Sequence, residues 1–443
     1  MQTSWTSLTS VNARRNPRTL CACNHWLTAG HAFPPTNGTT DATSQPLTSG
    51  AYSPQAGECR TTLMLTTPVP VGHMRSAFSL SCVVLLACET SAPGFSDSGP
   101  TGSDAPFADD GVCSLHGPVT VRTCTTSAND YTPRVASSKG TRFPICISDD
   151  NVYHPINPDV PSNSRIAAVE EMAKLLKFDG SARPTSDDFL KARVLYTQPE
   201  GLDSRVQRRE DIHFAKATVN GVPKECKDMT PEERAPFADR CAGPEKLIPL
   251  INDALAKGAV GTDVTLQAAR MEAAMVWFMW LSFYKESQGC FGDPGQCDST
   301  SAYWGGQQDV NAAPLGYGKI VRNFSDESYR RGWDAVLAIR CAYDYGTAQP
   351  SAPDLAAVKE KARDQIDRMN NHALALFVRS KIAAMPCDAP YESLRTLGPV
   401  LDVVARAIDP AKADMLKAEF QKPAAQFNRD GVLAALDELF GCP

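Results

Sequence analysis

The chain has 443 residues, 42% hydrophobic and 21% charged, with a formal net charge of −6, the composition of an ordinary globular protein long enough to bury a sizeable core. Residues 1 to 87 hold five Arg, no Lys and two acids, so the remainder stands at −9, which excludes the basic footprint of a nucleic-acid binder and a basic membrane patch. Fifteen cysteines without a C-x-x-C pair point to disulfides rather than zinc, and so to an oxidising compartment.

Residues 1 to 73 contain 20 Ser or Thr and no sustained apolar periodicity, too little to repay the entropy of ordering. Next comes "MRSAFSLSCVVLLAC", Met74 to Cys88, in which one base precedes eleven largely apolar residues. That run has the length of a signal-peptide core and is too short to span a bilayer. From Glu89 to Val112 the chain carries five acids, no bases and abundant Gly, Pro and Ser, the composition of a flexible tether.

Leu85-Leu86-Ala87-Cys88 resembles the lipobox of bacterial lipoprotein precursors. The resemblance implies that the Cys88 thiol is lipidated and becomes the first mature residue, and that the chain is exported and anchored at the outer membrane, on its periplasmic face or at the cell surface. Glu89 after the cysteine is similar to lipoproteins sorted there. Because such a signal begins a protein, translation is expected to start at Met74 or Met64. The expected organisation is a leader over 1–73, a signal over 74–87, a tether over 88–112, an irregular cysteine-containing collar over 113–161 with short β pieces such as "PVTVRTC", and a helical domain over 162–443.

Helical signals fill that last region. "SRIAAVEEMAKLLKF" sets Ile166, Val169, Met172, Leu175 and Leu176 on one stripe, with Gly180 as a stop. "TSDDFLKARVLY" opens on a Thr/Ser cap with acids in its first turn. Thr230, Pro231 and Glu233 form a capping box with Pro at the first helical position. "GPEKLIPLINDALAKG" follows. Eleven of the twelve residues from Ala273 to Tyr284 are apolar, so the helix opening near Asp263 has no wet side there and runs through the centre of the fold. Further helices are expected over "SDESYRRGWDAVLAIRCAYDY", from Pro353 to about Met385, and from Tyr391, Pro410 and Arg429. The fold class is therefore all-α, a single bundle of about eight to ten helices. Local bridges are expected for Cys290 with Cys297 and Cys226 with Cys241, and Cys387 with Cys442 would lock the C-terminus.

Four places carry chemistry. Glu272 enters the apolar helix; it either forms a buried ion pair with an Arg on a neighbouring helix or faces a pocket as acid, base or metal ligand. Arg205, Arg208, Arg209 and His213 lie close together, as a surface laced with ion pairs or as a grip on an anion. Cys297 to Ile320 reads as a long loop whose Tyr303, Trp304 and Tyr317 form a ligand platform. Within it Ala302-Tyr303-Trp304, Gly306 and Pro314-Leu315-Gly316 are similar to a stretch of algal periplasmic iron-assimilation proteins, which implies a metal-related binding role without assigning ligands. Asn370-Asn371-His372 resembles the Asn-His core of helical-toroid alginate lyases, where the resemblance implies a neutralising Asn and a His base; the aromatic partner that follows in those enzymes is missing here.

No two histidines after Cys88 stand at metal-binding spacing, and G-x-S-x-G, P-loop and Rossmann patterns are absent, so no metal and no cofactor are expected. The expected function is a non-enzymatic module that binds a small molecule, glycan or protein, attached to the membrane through Cys88 and without a nucleic-acid partner. The alternatives are a polysaccharide-active lyase or hydrolase with a helical cleft, and a periplasmic iron-binding protein.

Overall fold

A computed structural model describes residues 114–122, 124–136, 142–199, 201–306 and 308–442, all within one compact unit. The leader, the signal run, Cys88, the tether and Cys113 lie outside the described residues.

The fold is all-α. Among the described residues thirteen helices run in order as α1 (Ser162–Leu175), α2 (Ser186–Tyr196), α3 (Leu202–Gln207), α4 (Pro231–Arg234), α5 (Ile248–Ala259), α6 (Val264–Gly289), α7 (Pro294–Trp304), α8 (Gly316–Phe324), α9 (Asp326–Ala348), α10 (Leu355–Ala383), α11 (Asp388–Ile408), α12 (Pro410–Glu419) and α13 (Arg429–Phe440). The count exceeds ten because α3, α7 and α8 are helical where the sequence offers only an Arg-rich segment and a glycine-bounded loop. A π turn over Gly243–Leu247 leads into α5. The only hairpin among the described residues joins β1 (Thr218–Val219) to β2 (Val222–Pro223).

Caps explain several starts. Thr185 and Thr230 each accept from the backbone N–H three residues on, and Asp188 and Glu233 reciprocate, satisfying two orphan donors per end. Asp263 precedes α6 in a left-handed conformation and makes no side-chain cap bond; the helix is held by packing instead. Its residues from Ala273 to Phe283 are all buried, against α5, α7, α10 and α11. α1 buries Ile166, Val169 and Met172, with Leu176 at its cap.

The described residues between 114 and 160 form an irregular strap with, among them, a single 3-10 turn, Ile147–Asp150, and no strand at 118–122. Among the described residues the long-range disulfides Cys124–Cys442 and Cys146–Cys341 fasten it. The expected local bridges Cys226–Cys241 and Cys290–Cys297 are present. The pairing of Cys387 with Cys442 is corrected: Cys442 is bonded to Cys124, and Cys387 is itself disulfide-bonded. The C-terminus is thus locked to the strap, not to the start of α11. No helix among the described residues is long and apolar enough to cross a membrane.

Candidate functional site

A cavity of about 700 Å³ lies between α1, α6, α8 and the strap residues His116–Val119, within the size range of small-molecule sites. Its floor is apolar. Met275, Val276 and Met279 come from α6 and Val169 from α1, because the i, i+3, i+4 spacing of a helix puts such residues on one face. Ile320 and Phe324 on α8 close the opposite side.

The polar wall is built on Glu272. Its Oε2 accepts from Lys381 Nζ at 2.5 Å, and its Oε1 faces His116 Nε2 at 2.7 Å. Lys381, on α10, has a side chain 0% exposed and Glu272 one 5% exposed, a burial that a charge tolerates only when paired. Lys381 also donates to the Leu115 carbonyl at 2.9 Å. His116 Nδ1 meets Ser380 Oγ at 3.1 Å, and that hydroxyl donates to the Phe377 carbonyl, while His116 Nε2 also lies 3.4 Å from Lys381 Nζ. Burial alone would raise the Glu272 carboxyl, but Lys381 and His116 together hold it below the ordinary carboxylate value. Burial draws the Lys381 ammonium down, with Glu272 opposing.

The strap reaches this cluster because Gly117 lies flat on the end of α10. Its N–H donates to the Ser380 carbonyl, and a Cβ there would sit 2.4 Å from the Ala383 carbonyl carbon. At the other end of the cavity Lys319 pairs with Glu170, which also accepts from the Gly316 N–H.

The remaining candidates fall elsewhere. Tyr303 and Trp304 are not on a loop: they close α7, and with Tyr317 of α8 they are fully buried. Trp304 lies against Phe283, Tyr317 and Tyr329, so the platform is core packing. Arg205 and Arg209 both donate to Glu286, and Arg209 also donates to Tyr303 Oη. They are therefore consumed inside the protein and offer no grip on an anion, while Arg208 is exposed and bonds the Ser204 carbonyl. Glu272 takes the ion-pair reading, with Lys and His in place of Arg, and also lines a cavity.

His372 is far from that chemistry. Its Nδ1 faces the Phe440 carbonyl at 2.6 Å and its Nε2 the Ser328 hydroxyl at 2.9 Å, in dry surroundings that draw its pKa down to about 4. Both ring nitrogens are occupied by structural partners, and the shallow depression that His372 lines with Arg122 and Arg379 contains neither Glu272 nor a Tyr. The base role implied for Asn370-Asn371-His372 gains no support. Among the described residues no three His, Cys, Asp or Glu side chains could hold a metal ion, so the iron-related reading gains no ligand set.

The chain matches no protein family model, no curated protein and no solved structure. Its chemistry is therefore argued from this geometry alone. Two residues at the heart of it, His116 and Lys381, escaped sequence reasoning. A lysine inside an otherwise apolar helical stretch, "LALFVRSKIA", was the available signal for one of them.

Proposed function

We propose that this protein is an exported lipoprotein, anchored through Cys88, whose helical unit binds a small molecule with an apolar body in the cavity between α1, α6 and α8. The observation that carries the binding role is an apolar floor bordered by a buried, fully paired polar cluster, Glu272 with Lys381 and His116. A pocket with a few convergent polar groups in apolar walls is the usual form of such sites. Anchoring is supported by the order of base, apolar run, small residue, cysteine and acidic tether. No catalytic step is assigned, since the Glu272 carboxylate is paired with the Lys381 ammonium and hydrogen-bonded to His116.

Two measurements test the reading. Full-length chain expressed in bacteria and extracted from membranes should give, by mass spectrometry, an N-terminal peptide beginning at an acylated Cys88; an unacylated chain starting at Met1 overturns the anchor. The neutral fluorophore N-phenyl-1-naphthylamine should bind at one site per chain and be lost on filling the floor with Val276→Trp. Equal binding by a folded Val276→Trp overturns the cavity.

A further inference from the structure

Three arginines are buried among the described residues. Arg209 is paired with Glu286 and Arg340 with Asp344, but Arg165, on α1 and 5% exposed, has neither an ion pair nor a hydrogen bond among those residues. Its Nε is sealed from solvent, whereas the two terminal nitrogens, also without partners, keep contact with solvent. The fork of the guanidinium is thus open to something small. A buried charge left unpaired is costly enough to call for an explanation.

Its neighbours deepen the imbalance. α1 packs on α3 and α7, and burial first, then Arg205, Arg208 and Arg209, draw the Arg165 pKa down, with Tyr303 opposing. The carboxylate nearest this group, Glu286, is taken by Arg205 and Arg209. Glu210 is taken by Arg240 and the Cys226 N–H. Lys285 on α6, half-buried and without an ion pair among the described residues, adds another positive charge beside Arg209. Water can satisfy the idle N–H groups of Arg165, but it supplies no charge.

We infer that Arg165 is the floor of a binding site for a small tetrahedral oxyanion, phosphate or sulfate, with the exposed Arg208 at its mouth. Arg208 bonds Ser204 through Nε and Nη2 and keeps Nη1 unpaired. Arg205 and Arg209 stay on Glu286 and lend only their charge. The two terminal nitrogens of Arg165 present the fork that suits two oxygens of such an ion. A third oxygen then remains for Arg208, which a planar carboxylate does not have. The inference does not rest on the role of the α1/α6/α8 cavity.

The test is calorimetric titration of the full chain at pH 7 with sodium phosphate and with sodium acetate, the ionic strength being held by sodium chloride. Phosphate should bind one per chain and at least about tenfold more tightly than acetate, the worth of one further charge-assisted bond. Arg165→Met should lose about a hundredfold and Arg208→Gln about tenfold, for two such bonds and for one. Because binding to the native state raises the melting temperature, phosphate should also shift the melt of the parent and leave that of Arg165→Met in place. Arg208 is exposed, so Arg208→Gln keeps the test decisive even where Arg165→Met disturbs folding. Absence of saturable heat with phosphate, equal affinity for acetate, or undiminished binding by a folded Arg165→Met or Arg208→Gln would each overturn the proposal.

Discussion

Lys381→Met removes the ammonium from the buried cluster while keeping most of its bulk. In the native protein Nζ lies 2.5 Å from Glu272 Oε2 and 2.9 Å from the Leu115 carbonyl. At an effective dielectric of about 20 the gross attraction over that distance is about 7 kcal/mol, much of it cancelled by desolvating both charges. The variant loses the attraction but still buries the carboxylate, so a loss of about 3–5 kcal/mol is expected. Guanidinium denaturation followed by circular dichroism at pH 7 measures it. Glu272→Gln combined with Lys381→Met should cost less than the sum of the single changes, since both partners are then neutral. The sign with pH follows from the lowered Glu272 carboxyl: its contribution is present above the ordinary carboxyl value of about 4.5 and fades as pH falls through the lowered one. A Lys381→Met variant within about 1 kcal/mol of the parent, or a double variant worse than additive, would refute the reasoning.

Four further outcomes follow from the same structure. His372, drawn down to about 4 by burial, resists protonation in the native state. Stability should therefore fall by about 3 kcal/mol as pH drops from about 6.5 to 4, and denaturation of His372→Gln across that range should show a slope shallower by that amount. Asp334, pushed up to about 7 mainly by burial, with Arg331 opposing and Asp130 adding to it, behaves in the opposite sense. Its charged form is disfavoured in the native state, so Asp334→Asn should stabilise at pH 8 by about 1–3 kcal/mol and have little effect at pH 4. A Cβ at Gly332 would sit 1.9 Å from the Trp304 indole, so Gly332→Ala should cost about 1–3 kcal/mol through overpacking, and Trp304→Ala about 3–5 kcal/mol; a thermal melt unchanged by either would contradict the core placement.

The sequence made the scaffold legible and left the site obscure, for reasons that can be traced to particular residues. The apolar run Ala273–Tyr284 could only be central, and Thr230 with Glu233 could only be a helix start, because both are local patterns of period and capping. Cys290 with Cys297 and Cys226 with Cys241 were likewise within reach, being 7 and 15 residues apart. Cys124 with Cys442 spans 318 residues, and no local rule selects that partner over Cys387. The same distance hides the cluster at the cavity wall: Glu272 was visible as a lone carboxylate in an apolar helix, but His116 and Lys381 meet it from 156 and 109 residues away. Tyr303 and Trp304 were misplaced for a different reason. Glycines at 305 and 306 suggested a loop, whereas Asp293 caps Gly295 N–H and Pro294 takes the first helical position, so the glycines mark the end of α7 rather than a mobile platform. Arg205 and Arg209 were readable as ion-pair partners, yet their burial against Glu286 depends on the register of α3 with α6, which is tertiary.

The most direct test of the account is titration of the folded protein with N-phenyl-1-naphthylamine, parent against Val276→Trp, with circular dichroism on both. One saturable site in the parent, absent in a Val276→Trp protein of unchanged helicity and cooperative unfolding, is the predicted result. Identical binding curves for the two proteins would contradict the assignment of the α1/α6/α8 cavity as the binding site.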